Sequence, residues 1–247
     1  MNRPGERDDP ALAAHIGALR VVYFESIAST MDEAHRLAES GAESGTLVLA
    51  DEQLAGRGRL GRRWTSGRGA GIWATSIHRG VPVSALDVLS IRIGLALAPA
   101  LDPFAPGPVS LKWPNDLLVR RQKLGGILVE ARWRDVTVEW VAVGIGINLQ
   151  APQGRDDAVA LAGGTARRDV LHAIFPVVVA ACLTGGELSS DELASYAGRD
   201  SARDVRLVEP AAGLARGITP NGALVVETAQ GRELFRRGSL VRAPEVE

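Results

Sequence analysis

The stretch "GRGRLGRRW", residues 56 to 64, carries glycines at 56, 58 and 61 and arginines at 57, 59, 62 and 63. The glycines spell G-x-G-x-x-G, the spacing of a dinucleotide-binding turn, which would make the chain a doubly wound α/β protein. That turn requires a helix directly after the glycines, whose N-terminus holds the pyrophosphate. Here the chain runs on into "RRWTSGRGAG", a loop by every local signal. A phosphate-binding P-loop fails as well, because it needs Lys followed by Ser or Thr where Arg62 and Arg63 stand. What remains is a glycine-rich segment holding Arg57, Arg59, Arg62, Arg63 and Arg68 with no acid between them. Arginine grips phosphate and carboxylate through paired donors, and glycine lets backbone N–H groups come close to an anion. Such a loop is expected to be loose when empty and ordered around a bound anion.

The rest of the chain sets bounds on that anion. It has 247 residues, 46% hydrophobic and 23% charged, which suits a soluble protein with a substantial core. Net charge is −1, so nothing global points to nucleic acid or a membrane surface. One cysteine, Cys182, rules out a disulfide framework and argues against a cysteine metal site. The longest apolar runs, 88–101 and 170–183, are too short to span a bilayer. The polar opening "MNRPGERDDP" lacks the apolar stretch of a signal peptide, so a cytoplasmic location is expected.

Of the 28 basic residues only two are lysines, Lys112 and Lys123. Where arginine serves as the generic cation, surviving lysines mark places that need a compact ammonium. Both lie in "LKWPNDLLVRRQKLGGILVE" (111–130). Asparagine is also scarce, and Asn115 and Asn148 fall in "KWPND" (112–116) and "GIGIN" (144–148). Lys112 suits a carboxylate or a phosphate, and Asn115 a base or a ribose. Glycines within the strand 137–150 mark close approach of a ligand or a bulge.

Periodicity places strands at 21–26, 46–53, 71–79, 109–113 and 137–150, with a hairpin over 116–133 turning near Arg121 and Gln122. It places helices near 11–20, 30–40, 84–101, 169–184 and 190–197. Expected caps are a Thr30–Glu33 box, Ser84, and a Ser189–Glu192 box. Residues 1–10 read as a disordered tail and 151–169 as loop. From about 200, short strands between Pro and Gly turns imply a small β-barrel. The expected organisation is therefore a tail (1–10), a catalytic domain (11–199) and a barrel domain (200–247). Cys182 reads as a core thiol, and the four histidines as surface or helix-face residues.

"GRGRLGRRW", "KWPND", "KLGGILVE" and "GIGIN", in that order and spacing, resemble the motifs of biotin protein ligases. The resemblance covers 26 to 150 and extends more weakly through the barrel. It implies an α+β fold like the catalytic core of class II aminoacyl-tRNA synthetases, with a mixed, mainly antiparallel sheet and an SH3-like barrel. It also implies a two-step reaction: biotin and ATP, with Mg²⁺, form biotinyl-5′-AMP, and a lysine of a biotin carboxyl carrier domain then takes the biotin.

By the same resemblance, Ser29, Thr30 and Gln53 meet the ureido end of biotin, and Gly125 and Gly126 line its ring pocket. Met31 stands where many family members have Asn. Arg57, Gly58 and Arg59 hold the carboxylate and α-phosphate region, and Arg62 the leaving pyrophosphate. Lys112 touches carboxylate and α-phosphate together, as the central catalytic residue. Trp64, Asn115 and Asn148 lie near adenine or ribose. Asp116 is read either as a metal partner or as orienting Lys112, and no metal ligand is assigned. Two other readings share these features: a lipoyl or other acyl ligase on the same fold, and a biotin-responsive DNA-binding regulator. About 20 residues precede the first strand, too few for a helix-turn-helix domain, so a ligase without DNA binding is expected, as a monomer or homodimer.

Overall fold

The computed structural model describes residues 5–244. Eight strands form the main sheet: β1 (Glu6–Asp8), β2 (Arg20–Phe24), β3 (Thr46–Ala50), β4 (Gly71–His78), β5 (Val109–Lys112), β6 (Asp116–Val119), β7 (Gln122–Arg134) and β8 (Thr137–Asn148). Their order is β1-β2-β3-β4-β8-β7-β6-β5, and only β2 and β3 run parallel. The helices are α1 (Pro10–Ile16), α2 (Thr30–Glu39), α3 (Leu89–Leu101), α4 (Arg167–Leu183) and α5 (Ser190–Arg199).

Strand alternation divides the apolar residues between two cores. Val22, Phe24, Val48 and Ala50 face α2, while Val21, Tyr23, Leu47 and Leu49 join the core under α1, α3 and α4. Because both faces are covered, β2 and β3 read as nearly continuous apolar runs. Arg92 lies 4% exposed within α3. It pairs with Glu192 at 2.6 Å and donates to the carbonyls of Thr184, Gly186 and Glu187, which explains a charge in an apolar run.

A second, five-stranded antiparallel sheet closes the chain: β9 (Arg206–Glu209), β10 (Gly213–Ile218), β11 (Leu224–Thr228), β12 (Gly231–Phe235) and β13 (Val241–Arg242). It is in keeping with the SH3-like barrel expected there. It docks on the strand that carries Lys112: Trp113 Nε1 donates to Gly222 O at 2.9 Å, and Ser201 N to Leu111 O at 2.9 Å.

Several local expectations need correction. Within the expected tail, Glu6–Asp8 is an edge strand paired with β2, and Pro10 opens α1; residues 1–4 lie outside the described residues. Helix α2 is capped by Ser29, one residue earlier than expected, and Glu33 is buried against Arg36 instead of closing a box. Ser84 caps nothing: a 3₁₀ turn over Val83–Ala85 precedes α3, and the Ser84 hydroxyl accepts from Gly186 N. The hairpin turns one residue early, at Arg120 and Arg121, both with positive φ as a two-residue hairpin loop demands. The Ser189–Glu192 capping box is present. Strand β8 is central between β4 and β7, so it offers no free edge to a second copy. His78 is 3% exposed inside a strand, not at the surface. Cys182 is fully buried, and burial pushes its thiol up to about 12.

Candidate active site

One cavity of about 390 Å³ gathers most of the residues singled out in the sequence. Its lining includes Ser29, Thr30, Met31, Gln53, Arg57, Gly58, Arg59, Arg62, Trp64, Lys112, Asn115, Gly126 and Asn148. Gly125 is not in that lining. Its missing Cβ would lie 2.6 Å from the carbonyl oxygen of Gly146, so this glycine serves the β7–β8 contact.

The arginine loop folds as a small hairpin. Gly58 N donates to Arg62 O at 2.7 Å and Trp64 N to Gly56 O at 2.9 Å, with a 3₁₀ turn at Arg59–Gly61. Gly56 is dictated by space, since a Cβ there would meet Trp64 O at 2.7 Å. Gly61 is dictated by its φ of +71°. The loop's arginines fan out to different anchors. Arg57 reaches Asp32 at 2.6 Å, Arg59 Nη1 donates to Asn115 Oδ1 at 3.3 Å, and Arg62 donates to the Ser239 hydroxyl. Burial pushes the Arg59 guanidinium down from its usual value, opposed by Asp116.

One end of the cavity is lined by neutral polar groups, with the Arg57–Asp32 pair beside them. Thr30 N and Oγ1 donate to Gln53 Oε1 at 2.9 and 3.0 Å, Thr30 Oγ1 meets Thr75 Oγ1 at 2.9 Å, and Gln53 Nε2 donates to Ser66 Oγ at 2.9 Å. Thr75 also lines the cavity, on the same β4 that supplies core residues; its alternate position in "IWATSIH" was the available signal. Met31 covers this end from α2, its Cε 2.8 Å from where Gly144 would carry a Cβ.

At the other end both lysines converge. Lys112 and Asp116 are register partners in the β5–β6 hairpin, and Lys123 Nζ lies 2.7 Å from Asp116 Oδ1. Burial lowers the Lys112 ammonium from its ordinary value, and Asp116 partly restores it. Trp64 also lines the cavity. Its ring rests on Gly126 and Gly146, cross-strand partners whose Cβ atoms would come within 3.3 and 2.7 Å of it. Lys123 Nζ sits 5.0 Å from its centroid.

The amide N–H groups of Asn115 and Asn148 go to backbone carbonyls: Asn115 to Ile127 at 2.7 Å, Asn148 to Val159 at 3.0 Å and Lys123 at 3.3 Å. The loop after β8 contributes Pro152, Arg155 and Ala158 to the wall, and the C-terminal sheet contributes Glu209 and Gly238 to Val241. Nothing local in the sequence marked that last segment. The arrangement can hold a flat, neutral hydrogen-bonding head at one end and two anionic groups at the other.

A family model described as the biotin/lipoate A/B protein ligase family matches residues 23–148. The biotin–[acetyl-CoA-carboxylase] ligase of Paracoccus denitrificans is 35% identical over 232 residues, covering 84% of this chain and 94% of that one. The chain belongs to the biotin/lipoate A/B protein ligase family. The bifunctional ligase/repressor BirA of Bacillus spizizenii is 36% identical over 162 residues, covering 64% of this chain and 49% of the relative. The chain thus spans about half the length of that relative, and likewise 47% of its Bacillus subtilis counterpart. Among solved structures, a biotin protein ligase from Aquifex aeolicus in complex with biotin and ATP has the same fold, with a TM-score of 0.73 at 24% identity over 90% of this chain and 99% of that one. A Leishmania major biotin protein ligase in complex with biotinyl-5-AMP matches at a TM-score of 0.61 and 25% identity, over 87% and 98%.

Proposed function

We propose that this protein activates biotin with ATP and transfers it to a lysine of a biotin carboxyl carrier domain. The observation that carries this reading is the polarity of the cavity. A neutral Thr30–Gln53–Ser66 network at one end suits a ureido group, and Lys112, Lys123 and the arginine loop at the other suit a carboxylate beside a phosphate chain. A carboxylate and a triphosphate repel one another, so fixed cations must first bring them together. They then stabilise the charge that builds on the α-phosphate. The biotin carboxylate attacks that phosphorus and pyrophosphate leaves. The carrier's amine then attacks the acyl carbon, and AMP leaves.

In this reading Lys112, Arg57 and Arg59 act on the reacting groups, Arg62 on the pyrophosphate, and Trp64 with Asn115 and Asn148 on the nucleoside. The described residues bring no three His, Cys, Asp or Glu side chains together for a metal. Were Mg²⁺ to accompany ATP, Asp116, the carboxylate beside the two lysines, would be the residue to meet it, and the ion would supply charge to the phosphates. We take the main sheet and its helices, which begin at Glu6 and not at residue 11, up to residue 199 as the catalytic unit, and the second sheet from about 200 as the barrel, acting in the cytoplasm. Among the described residues no helix is long and apolar enough to cross a membrane.

The test incubates the protein with ATP, Mg²⁺ and either biotin or lipoate, without a carrier, and identifies the bound small molecule by mass spectrometry. Biotinyl-adenylate alone is expected. Lipoyl-adenylate would move the specificity to the other branch of the family, and neither adduct from folded protein would sink the reading.

A further inference from the structure

Arg57 is the end of a directed chain of polar contacts that starts in the core. Trp140, 3% exposed and packed beneath α2, donates from Nε1 to His35 Nδ1 at 3.0 Å. A neutral imidazole that accepts at Nδ1 carries its proton on Nε2. That nitrogen lies 3.0 Å from Glu130 Oε2, and the same oxygen accepts from Arg57 Nη2 at 3.3 Å. The second anchor of Arg57, Asp32 Oδ1 at 2.6 Å, also meets Nη2. Glu130, His35 and Trp140 do not line the cavity, whereas Arg57 does. The His35 hydrogen bond is the main cause holding the Glu130 carboxyl below its usual range, so it stays an acceptor.

The economy of this contact is informative. A guanidinium is a rigid plane of five N–H donors. Both carboxylates meet it at one nitrogen, Nη2, and a guanidinium held at one nitrogen keeps further N–H donors for an arriving anion. The Arg57 side chain is 43% exposed, and ion pairs so open to water are weak. The two acids therefore orient Arg57 more than they neutralise it. We propose that Glu130 and His35 are positioning residues for adenylation: Trp140 sets the His35 tautomer, His35 sets Glu130, and Glu130 aims Arg57 at the carboxylate and α-phosphate. This rests on the reading of Arg57 as an anion-binding residue of a ligase site.

The test compares His35→Leu, His35→Gln, Glu130→Ala, Arg57→Ala and the double variant Arg57→Ala/Glu130→Ala in the full chain. Steady-state adenylate formation from biotin, ATP and Mg²⁺ is measured, together with the melting temperature of each. His35→Leu and Glu130→Ala should each lower kcat/KM for biotin about tenfold, mostly through KM, with KM for ATP little changed. His35→Gln should restore most of the loss, since its amide N–H stands where Nε2–H stood. In the Arg57→Ala background, removing Glu130 should cost nothing further. Normal kinetics in His35→Leu and Glu130→Ala beside an impaired Arg57→Ala would overturn the positioning role and leave the ligase reading standing. Losses that His35→Gln fails to rescue and that track melting temperature would reduce the chain to scaffolding and overturn it too. An unimpaired Arg57→Ala would remove the reading of Arg57 itself.

Discussion

Asp116 Oδ1 stands 2.7 Å from Lys123 Nζ while its backbone pairs with Lys112 across the β5–β6 hairpin. One carboxylate thus serves the only two lysines of the chain, at the end of the cavity where the proposed reaction would bring its anions together. Lys112 is half-buried and its ammonium is weakened by burial, so it gains most from an arriving anion. Lys112→Ala should lower adenylate formation by about a hundredfold or more while circular dichroism stays that of the folded chain. Lys112→Arg should also be poor, because a planar guanidinium cannot take the place of a point charge. Near-normal turnover in the Arg variant would defeat the argument from lysine scarcity.

Two neighbouring glycines should fail in different ways. At Gly146 a Cβ would lie 2.7 Å from the Trp64 ring, a side chain that can move. Gly146→Ala should therefore displace Trp64, change its fluorescence and weaken ATP binding with little loss of melting temperature. At Gly125 the Cβ would meet the Gly146 carbonyl oxygen at 2.6 Å, which is backbone. Gly125→Ala should lower the melting temperature instead. Equal effects of the two on ATP binding and on stability would contradict this division.

The contrast also shows what sequence reading reaches. "GRGRLGRRW" and "KWPND" exposed the cationic end of the cavity because charge, scarcity and turn chemistry are local properties. Apart from β1, whose polar Glu6–Asp8 read as tail, the strands of the main sheet were legible from apolar runs, and the Ser189–Glu192 cap from its spacing. Gly125 and Gly126 are indistinguishable locally, and only the register with β8 tells which faces the cavity. Ser84 looked like a cap until Gly186, 102 positions on, claimed its hydroxyl. Ser239 meets Arg62 only because the second sheet docks on the first. Such long-range pairings leave no local mark.

Met31 is 3% exposed and packed with Val22, Phe24, Ala34 and Leu37, its Cε against Gly144. An asparagine, which many family members have at this position, would lie here between that apolar cluster and the polar end of the cavity that Met31 lines. Met31→Asn should destabilise the protein by about 3 kcal/mol, from lost burial and an unpaired amide. Chemical denaturation measures it. A gain in biotin affinity at unchanged stability would mean that the amide finds a partner at the cavity's polar end.

His78 gives the fold a pH dependence separate from the site. It lies inside β4, its Nε2 2.7 Å from Ser76 Oγ, and burial lowers its pKa from 6.5 to about 4. The unfolded chain therefore binds a proton between pH 6.5 and 4 that the folded chain refuses. Stability from the neutral ring is fully present above 6.5 and is lost as pH falls through that window. At pH 5 the loss relative to pH 7.5 should be about 2 kcal/mol from this group. His78→Gln, which can keep the bond to Ser76 and does not titrate, should flatten that part of the curve. Urea denaturation of both proteins at pH 5 and 7.5 measures the difference. Parallel curves would show that the imidazole takes up its proton in the folded state as readily as in the unfolded one.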